Sequence, residues 1–280
     1  MKRQDLRIRD PFVLTDKENG KYYLYGTTDF PTPDYPNGRN TFSVYVSEDL
    51  EEFDGPYTVF DGRKSGFWAT LDYWAAEVRF YCGKYYLFGS FRADGVRRAT
   101  QILSADSPLG PFAPISDLPQ TPSEEDCLDG TLWVEDGKPY LVYCHEWLQA
   151  YDGEICAVEL SRDLSRRIGE PFCLFKASEH PCVTFFTERD GKKCYVTDGP
   201  FLFQENGKLK MIWSSFIDGE YAVLESCSDK IKGAWSHLSP KFSKNGGHSM
   251  LFTDLKGKKK LALHCPNTDQ MERPVFLDVE

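Results

Sequence analysis

With 280 residues, a formal net charge of −10 and a sequence pI near 5.1, the chain carries a field that repels phosphate backbones and anionic lipid, so neither nucleic acid nor a membrane surface is an expected partner. Aromatic residues make up 15% of the sequence and 22 Gly and 17 Pro are spread along it, a composition for strands punctuated by turns and for one all-β domain over residues 1–280. Nine Cys without a C-x-x-C pair fit reduced thiols and a cytoplasmic location better than a disulfide framework or zinc site, and the opening MKRQDLRIRD has no apolar stretch behind it to make a secretory signal or a membrane span.

Five segments share one form along the chain. They are DPFVLTDKENGKYYLYGT (10–27), WAAEVRFYCGKYYLFGS (74–90), DGTLWVEDGKPYLVY (129–143), DGPFLFQENGKLKMIWS (198–214) and GHSMLFTDLKGKKKLALH (247–264). Each reads as an apolar strand, a Gly-Lys turn and a second apolar strand, which is a β-hairpin. The turn glycines, Gly20, Gly83, Gly137, Gly207 and Gly257, recur at blade-sized intervals of about 50 to 70 residues. After the first four hairpins comes a weaker echo, VYVSEDLEEF, ILSADSPLGPF, AVELSRDLSRR and VLESCSDKIKGAW, which predicts the outer strands of four-stranded blades. One hairpin cannot bury both its faces, so the units are expected to stack radially as a five-bladed β-propeller, first strands innermost, with residues 273–279 supplying a late strand. Residues 31–40 and 118–127 read as long loops, where substrate specificity is often built.

Three repeats open on a carboxylate: Asp10, Asp129 and Asp198. Asp before Pro or Gly is ordinary turn chemistry, but equivalent positions on different blades converge, so three in one register predict a carboxylate cluster at one mouth of the channel. Glycoside hydrolysis needs such a cluster: one carboxylate activates water, one acid protonates the leaving oxygen, and neighbouring charge separates their proton affinities.

On these motifs the chain resembles family 43 of the glycoside hydrolases, which contains β-xylosidases, α-L-arabinofuranosidases and arabinanases. The resemblance covers nearly the whole chain: Asp10-Pro11 opens blade one, Trp74 to Val78 (WAAEV) blade two, Asp129 blade three, Asp198-Gly199-Pro200 blade four, and GGHSM (246–250) with LHCPN (263–267) blade five. It implies an inverting glycosidase acting on arabinofuranosyl or xylosyl linkages of plant-type oligo- or polysaccharides, with Asp10 as general base, Asp129 as the residue that tunes and orients the acid, and position 198 as general acid. The family has Glu at that last position. Asp is one methylene shorter, so either Asp198 acts from a repositioned strand or another carboxylate serves, Glu146 of YCHEW first, with Glu77 and Glu225 behind it. A propeller that binds carbohydrate with impaired turnover is the alternative this substitution raises.

No organic cofactor is implied. His248 opens the fifth repeat, and the resemblance implies a calcium ion near it in the central channel, held largely through water; calcium prefers oxygen ligands, so a single His is also read as a channel histidine bonded to water. Trp74 and Trp147 lie beside mouth positions and are candidates to stack on sugar rings, as is Phe30, whereas Trp133 and Trp213 read as core. Glu77, His248 and Arg273 complete the candidate substrate contacts. His145 and His264, each beside a strand end, read as structural.

Overall fold

The computed structural model describes residues 1–279 and forms five antiparallel blades around a central channel. Blade one contains β1 (Arg9–Asp16), β2 (Lys21–Thr27), β3 (Thr41–Ser47) and β4 (Asp54–Asp61); blade two β5 (Leu71–Tyr81), β6 (Lys84–Ala93), β7 (Val96–Ala105) and β8 (Ala113–Pro114). Blade three follows as β9 (Cys127–Glu135), β10 (Lys138–His145), β11 (Glu154–Leu160) and β12 (Arg167–Lys176), then a small hairpin, β13 (Thr187–Arg189) with β14 (Lys192–Cys194). Blade four is β15 (Asp198–Glu205), β16 (Lys208–Ile217), β17 (Glu220–Ser228) and β18 (Ser236–His237), and blade five has three strands, β19 (Gly247–Thr253), β20 (Lys259–Cys265) and β21 (Arg273–Asp278).

Local sequence accounts for the hairpins. Each Gly-Lys turn has its Gly at positive φ, between 64° and 86°, and in three of the five the preceding residue (Cys82, Asp136, Asn206) is left-handed too. Two consecutive left-handed residues bend with the twist of the flanking strands, which is why such turns favour Asn-Gly and Asp-Gly. The second strands are the most buried: Leu24 and Tyr25, Leu87 and Phe88, Leu141 to Cys144, Ile212 and Trp213, and Ala262 to His264 are all at or near zero exposure. Their side chains fill the spaces between blades, and this packing makes the mouth of the channel rigid.

The ring closes without a shared strand. Residues 1–6 run between blades one and five, where Arg3 N donates to Glu51 O at 2.9 Å and the Arg273 guanidinium donates to Gln4 O at 2.9 Å. Of the two expected loops, 31–40 flanks the channel mouth, with Pro31, Pro36 and Asn37 facing it. The segment 118–127 instead is tied to β7: Thr121 Oγ1 accepts from Thr100 N at 3.0 Å and Gln120 Oε1 from Ile102 N at 2.9 Å.

Candidate active site

Each blade carries the same irregularity where β1, β5, β9, β15 and β19 enter the channel. Arg9 pairs with Thr27, Trp74 with Ser90, Leu128 with Cys144, Asp198 with Ser214 and Gly247 with His264, and immediately afterwards the register slips. The next residue is left-handed every time: Asp10, Ala75, Asp129, Gly199 and His248, with φ between 49° and 56°. Such a bulge re-aims two successive side chains. The channel mouth therefore has two rings, an upper one of Arg9, Trp74, Leu128, Asp198 and Gly247 and a lower one of Asp10, Ala75, Asp129, Gly199 and His248. This corrects the expected register: Asp198 belongs to the upper ring with Trp74, whereas Asp10, Asp129 and His248 share the lower one.

The lower ring is tied by its own backbone. The left-handed residue donates its N–H to the second-strand side chain that pairs with the upper-ring residue of the preceding blade: Ala75 to Thr27 Oγ1 (2.8 Å), Asp129 to Ser90 Oγ (2.8 Å), His248 to Ser214 Oγ (2.7 Å) and Asp10 to His264 Nδ1 (3.1 Å). Cys144 occupies this place in blade three, and there Gly199 N donates instead to Asp129 Oδ2 at 3.1 Å. A side chain at 199 is disfavoured, since a Cβ would lie 2.7 Å from the His248 ring, which would have to shift.

Charge in the lower ring is arranged around His248, whose Nδ1 lies 3.1 Å from Asp10 Oδ1 and 3.6 Å from Asp129 Oδ2. Burial alone would drive this imidazole toward neutrality, but the two carboxylates raise it to about 9, so it is an imidazolium at neutral pH. Burial would also raise the Asp10 carboxyl; His248 and Arg9 outweigh it and hold Asp10 far below the usual carboxylate range. Thr27 Oγ1 donates to Asp10 Oδ2 at 2.5 Å. His264 accepts through Nδ1 and its Nε2 faces Asn267 Oδ1 at 3.1 Å; burial lowers it to about 4, so its 3.5 Å approach to Asp10 Oδ1 is not an ion pair. Asp198 is the reverse of Asp10. Burial, then the negative charge of Asp129, push its carboxyl up to about 7, while Tyr221 OH holds its Oδ2 at 2.9 Å. Burial raises Asp129 as well, against the pull of His248.

Above the rings opens a cleft of about 460 Å³, lined by Asp10, Asp129, Asp198 and His248 at its floor and by Trp74, Glu146 and Trp147 on one side. Trp74 is backed by the Arg98 guanidinium, 4.3 Å from the ring centroid. Arg98 is buried and pairs with Glu146, and with Asp72 at 2.8 Å. Burial raises the Glu146 carboxyl and Arg98 opposes it, so the alternative acid stands beside the cleft as one half of an ion pair. Trp147 begins a single helical turn, Trp147–Ala150, and packs edge-on against Phe186. On the opposite side Phe30 lies under Arg7 at 3.8 Å.

Two expected contacts are elsewhere. Arg273 does not reach the cleft, because its guanidinium is spent on the carbonyls of Gln4, Gln270 and Glu272 in ring closure. Glu77 lies beneath the lower ring, bound by Arg79 at 2.5 Å and Thr131 at 2.6 Å. Glu225 is buried between Lys210 and Lys241, and His145 sits between Glu154 and Gln149. Sequence reasoning missed Tyr221, Arg98, Asp72 and Arg9. The hydroxyls at Thr27, Ser90 and Ser214 had a signal, since they end three of the repeats at one position.

The channel offers few free oxygen ligands to the calcium ion that the resemblance implies. Beneath the lower ring the cavity lined by Asp10, Glu77, Asp129, His248 and Ser249 amounts to about 20 Å³, room for roughly one water. Calcium needs six to eight oxygens, yet Glu77 is neutralised by Arg79, whose guanidinium sits 4.5 Å from the Phe201 ring centroid, and His248 is engaged with two carboxylates. Among the described residues the grouping with metal-ligand spacing is Glu154, Cys156 and Cys173, at the outer strands of blade three.

A five-bladed propeller whose channel mouth gathers three carboxyls of different proton affinity has the architecture of a glycosidase. The sequence matches the family described as Glycosyl hydrolases family 43 over residues 5–278, and the chain belongs to that family. It is similar to an endo-arabinase from Bacteroides thetaiotaomicron VPI-5482, at 41% identity over 100% of this chain and 96% of that one, with a TM-score of 0.90. The fold is shared with a thermostable family-43 glycoside hydrolase (23% identity, 98% and 93% covered, TM-score 0.79) and an endo-1,4-beta-xylanase from Bacteroides thetaiotaomicron VPI-5482 (24%, 98% and 95%, TM-score 0.75). No curated protein matches the sequence.

Proposed function

We propose that this glycosidase cleaves arabinofuranosyl or xylosyl linkages with inversion, Asp10 acting as general base, Asp198 as general acid and Asp129 as the charge that keeps Asp198 protonated. The observation that carries this reading is the opposition of Asp10 and Asp198: one carboxyl is held ionised by His248 and Arg9, and the other is pushed up to about 7 by burial and Asp129. A base and an acid in adjacent rings, each in the protonation state its task requires near neutral pH, are what hydrolysis across a glycosidic bond demands. Asp10 takes the proton of a water attacking the anomeric carbon. Asp198 gives its proton to the departing oxygen, and the Tyr221 hydroxyl on Oδ2 leaves the proton to Oδ1. Glu146 is the poorer candidate because its carboxylate is engaged in an ion pair with Arg98.

The short side chain at 198 is accommodated by its place in the upper ring, one residue nearer the cleft than the other two Asp. Inversion calls for a water between base and sugar and hence for carboxyl groups about 6.5 to 9.5 Å apart. The similarity to a protein named an endo-arabinase makes linear arabinan the first polymer to test, with xylan and aryl pentosides beside it. Proton NMR of the first-formed sugar decides the stereochemistry. A product of retained configuration overturns the inverting assignment, and a chain that binds these sugars without cleaving any of them overturns the hydrolytic one.

A further inference from the structure

Arg9 differs from the other arginines around the cleft. Arg7 pairs with Asp269 at 3.0 Å and Glu272 at 3.5 Å, Arg92 with Asp72 at 2.5 Å, and Arg98 with Asp72 and Glu146. Arg9 makes no ion pair among the described residues, its Nε is buried without a hydrogen-bond partner, and its one side-chain hydrogen bond is a long contact from Nη2 to Asn267 Oδ1 at 3.5 Å. Asp10, Asp198, Tyr221 and Glu272 act on it from further away. Withdrawing a guanidinium from water with its donors unmatched destabilises a fold, so the cost points to a partner absent from the free protein.

Position says what that partner is. Arg9 belongs to the upper ring, and the other side chains of that ring, Trp74, Leu128 and Asp198, all line the cleft together with it. A sugar whose glycosidic oxygen lies at Asp198 is therefore within the circle of Trp74, Leu128 and Arg9. The carboxylates of Asp10 and Asp129 at the floor already face the His248 imidazolium, so the floor adds no call for an anion, and a neutral pentose offers hydroxyl oxygens to a fork of N–H donors. We propose that Arg9 donates hydrogen bonds to the hydroxyls of the neutral sugar unit at the point of cleavage, the substrate contact for which Arg273 had been the candidate. This assignment rests on the hydrolase reading for its catalytic consequence and on the cleft geometry for binding.

The experiment compares Arg9→Met and Arg9→Lys with the unsubstituted chain in three measurements. KM on arabinan should rise about ten- to a hundredfold in Arg9→Met, as expected for lost hydrogen bonds to a charged group, and Arg9→Lys should recover only part of it because an ammonium lacks the fork. Calorimetric binding of arabinotriose and xylotriose, in an Asp10→Asn background that cannot turn them over, should weaken by the same factor. The melting temperature of Arg9→Met should be equal to or above that of the parent. A lowered melting temperature with unchanged KM and trisaccharide affinity would assign Arg9 a structural role and overturn the proposal. So would a change confined to the pH profile, which would mean that Arg9 acts only through the charge of Asp10. If the parent chain cleaves no pentose substrate, the hydrolase reading fails while the trisaccharide titrations still decide Arg9; no trisaccharide binding to the chain with Arg9 intact, or tighter binding of a uronic acid oligosaccharide, overturns it.

Discussion

The two rings at the channel mouth are made from consecutive residues of the same five bulges, yet they behave as different materials. In the lower ring nearly every polar group is spoken for by its neighbours: backbone N–H groups close on Thr27, Ser90, Ser214 and His264, and His248 sits between Asp10 and Asp129. In the upper ring Asp198 has one partner, Tyr221, and Arg9 one long contact. The bulge thus separates two tasks that a plain strand end would have mixed. Residues at the left-handed position are fixed for charge placement, and residues one step earlier are left free for what enters the cleft.

The comparison breaks most sharply at Asp10. Asp10→Asn should lower kcat by about 10²- to 10⁴-fold, the usual worth of a general base, while trisaccharide affinity changes little, since amide and carboxylate have nearly one shape. A large loss of binding with kcat preserved would move the base out of the lower ring. Asp198→Asn should follow closely on arabinan but cost far less on aryl pentosides with good leaving groups, which depart without a proton. Equal losses on both substrates would remove Asp198 from the acid role, and the same differential in Glu146→Gln would transfer the role there.

Gly199→Ala sharpens the contrast from the backbone side, because the new Cβ would meet the His248 ring at 2.7 Å in a left-handed residue. Displacing that ring disturbs Asp10 and Asp129 together, so activity should fall about tenfold to a hundredfold, with a lower melting temperature measured by calorimetry. A variant with parental kcat and stability would show that the lower ring is softer than its hydrogen bonds indicate.

The pH profile follows from the same opposition. Activity on arabinan requires Asp198 protonated, so kcat/KM should fall by up to about tenfold per unit above pH 7, while Asp10 remains ionised far into the acid range and adds no limb near neutrality. Stability carries the matching sign. The Asp198 carboxyl ionises less readily in the fold, at about 7, than at its ordinary 3.8, so the parent loses stability as pH rises between those values. Asp198→Asn removes the loss, and its melting temperature should exceed the parent's by more at pH 8 than at pH 5. The smallest expected effect is that of chelation: EDTA and added calcium should leave both turnover and melting temperature unchanged, because Arg79 and His248 already supply positive charge to the channel. A calcium-induced rise in melting temperature would contradict that assessment.

Turn chemistry and strand alternation act over a few residues, so the five hairpins, their outer echoes and a late strand, observed at Arg273–Asp278, were legible in the sequence, as were the Asp and His residues that the repeats bring to one mouth. Within the site, legibility stopped at single-residue detail. The motif Asp-Gly-Pro at 198 looks equivalent to Asp-Pro at 10 and Asp-Gly at 129, and only the strand pairing shows that Gly199, not Asp198, is the left-handed residue of its blade. Arg273 and Arg9 look alike as isolated arginines, and what separates them is that one is used to close the ring while the other faces the cleft.

The sequence by itself determined that this chain is an all-β ring with acidic residues at the starts of its inner strands, because hairpins are local and repetition makes them stack. The tertiary structure alone decided which carboxyl is ionised, which keeps a proton and which is paired. Those states depend on burial and on charges from segments far apart in the chain, such as Asp10 with His248 and Arg98 with Glu146.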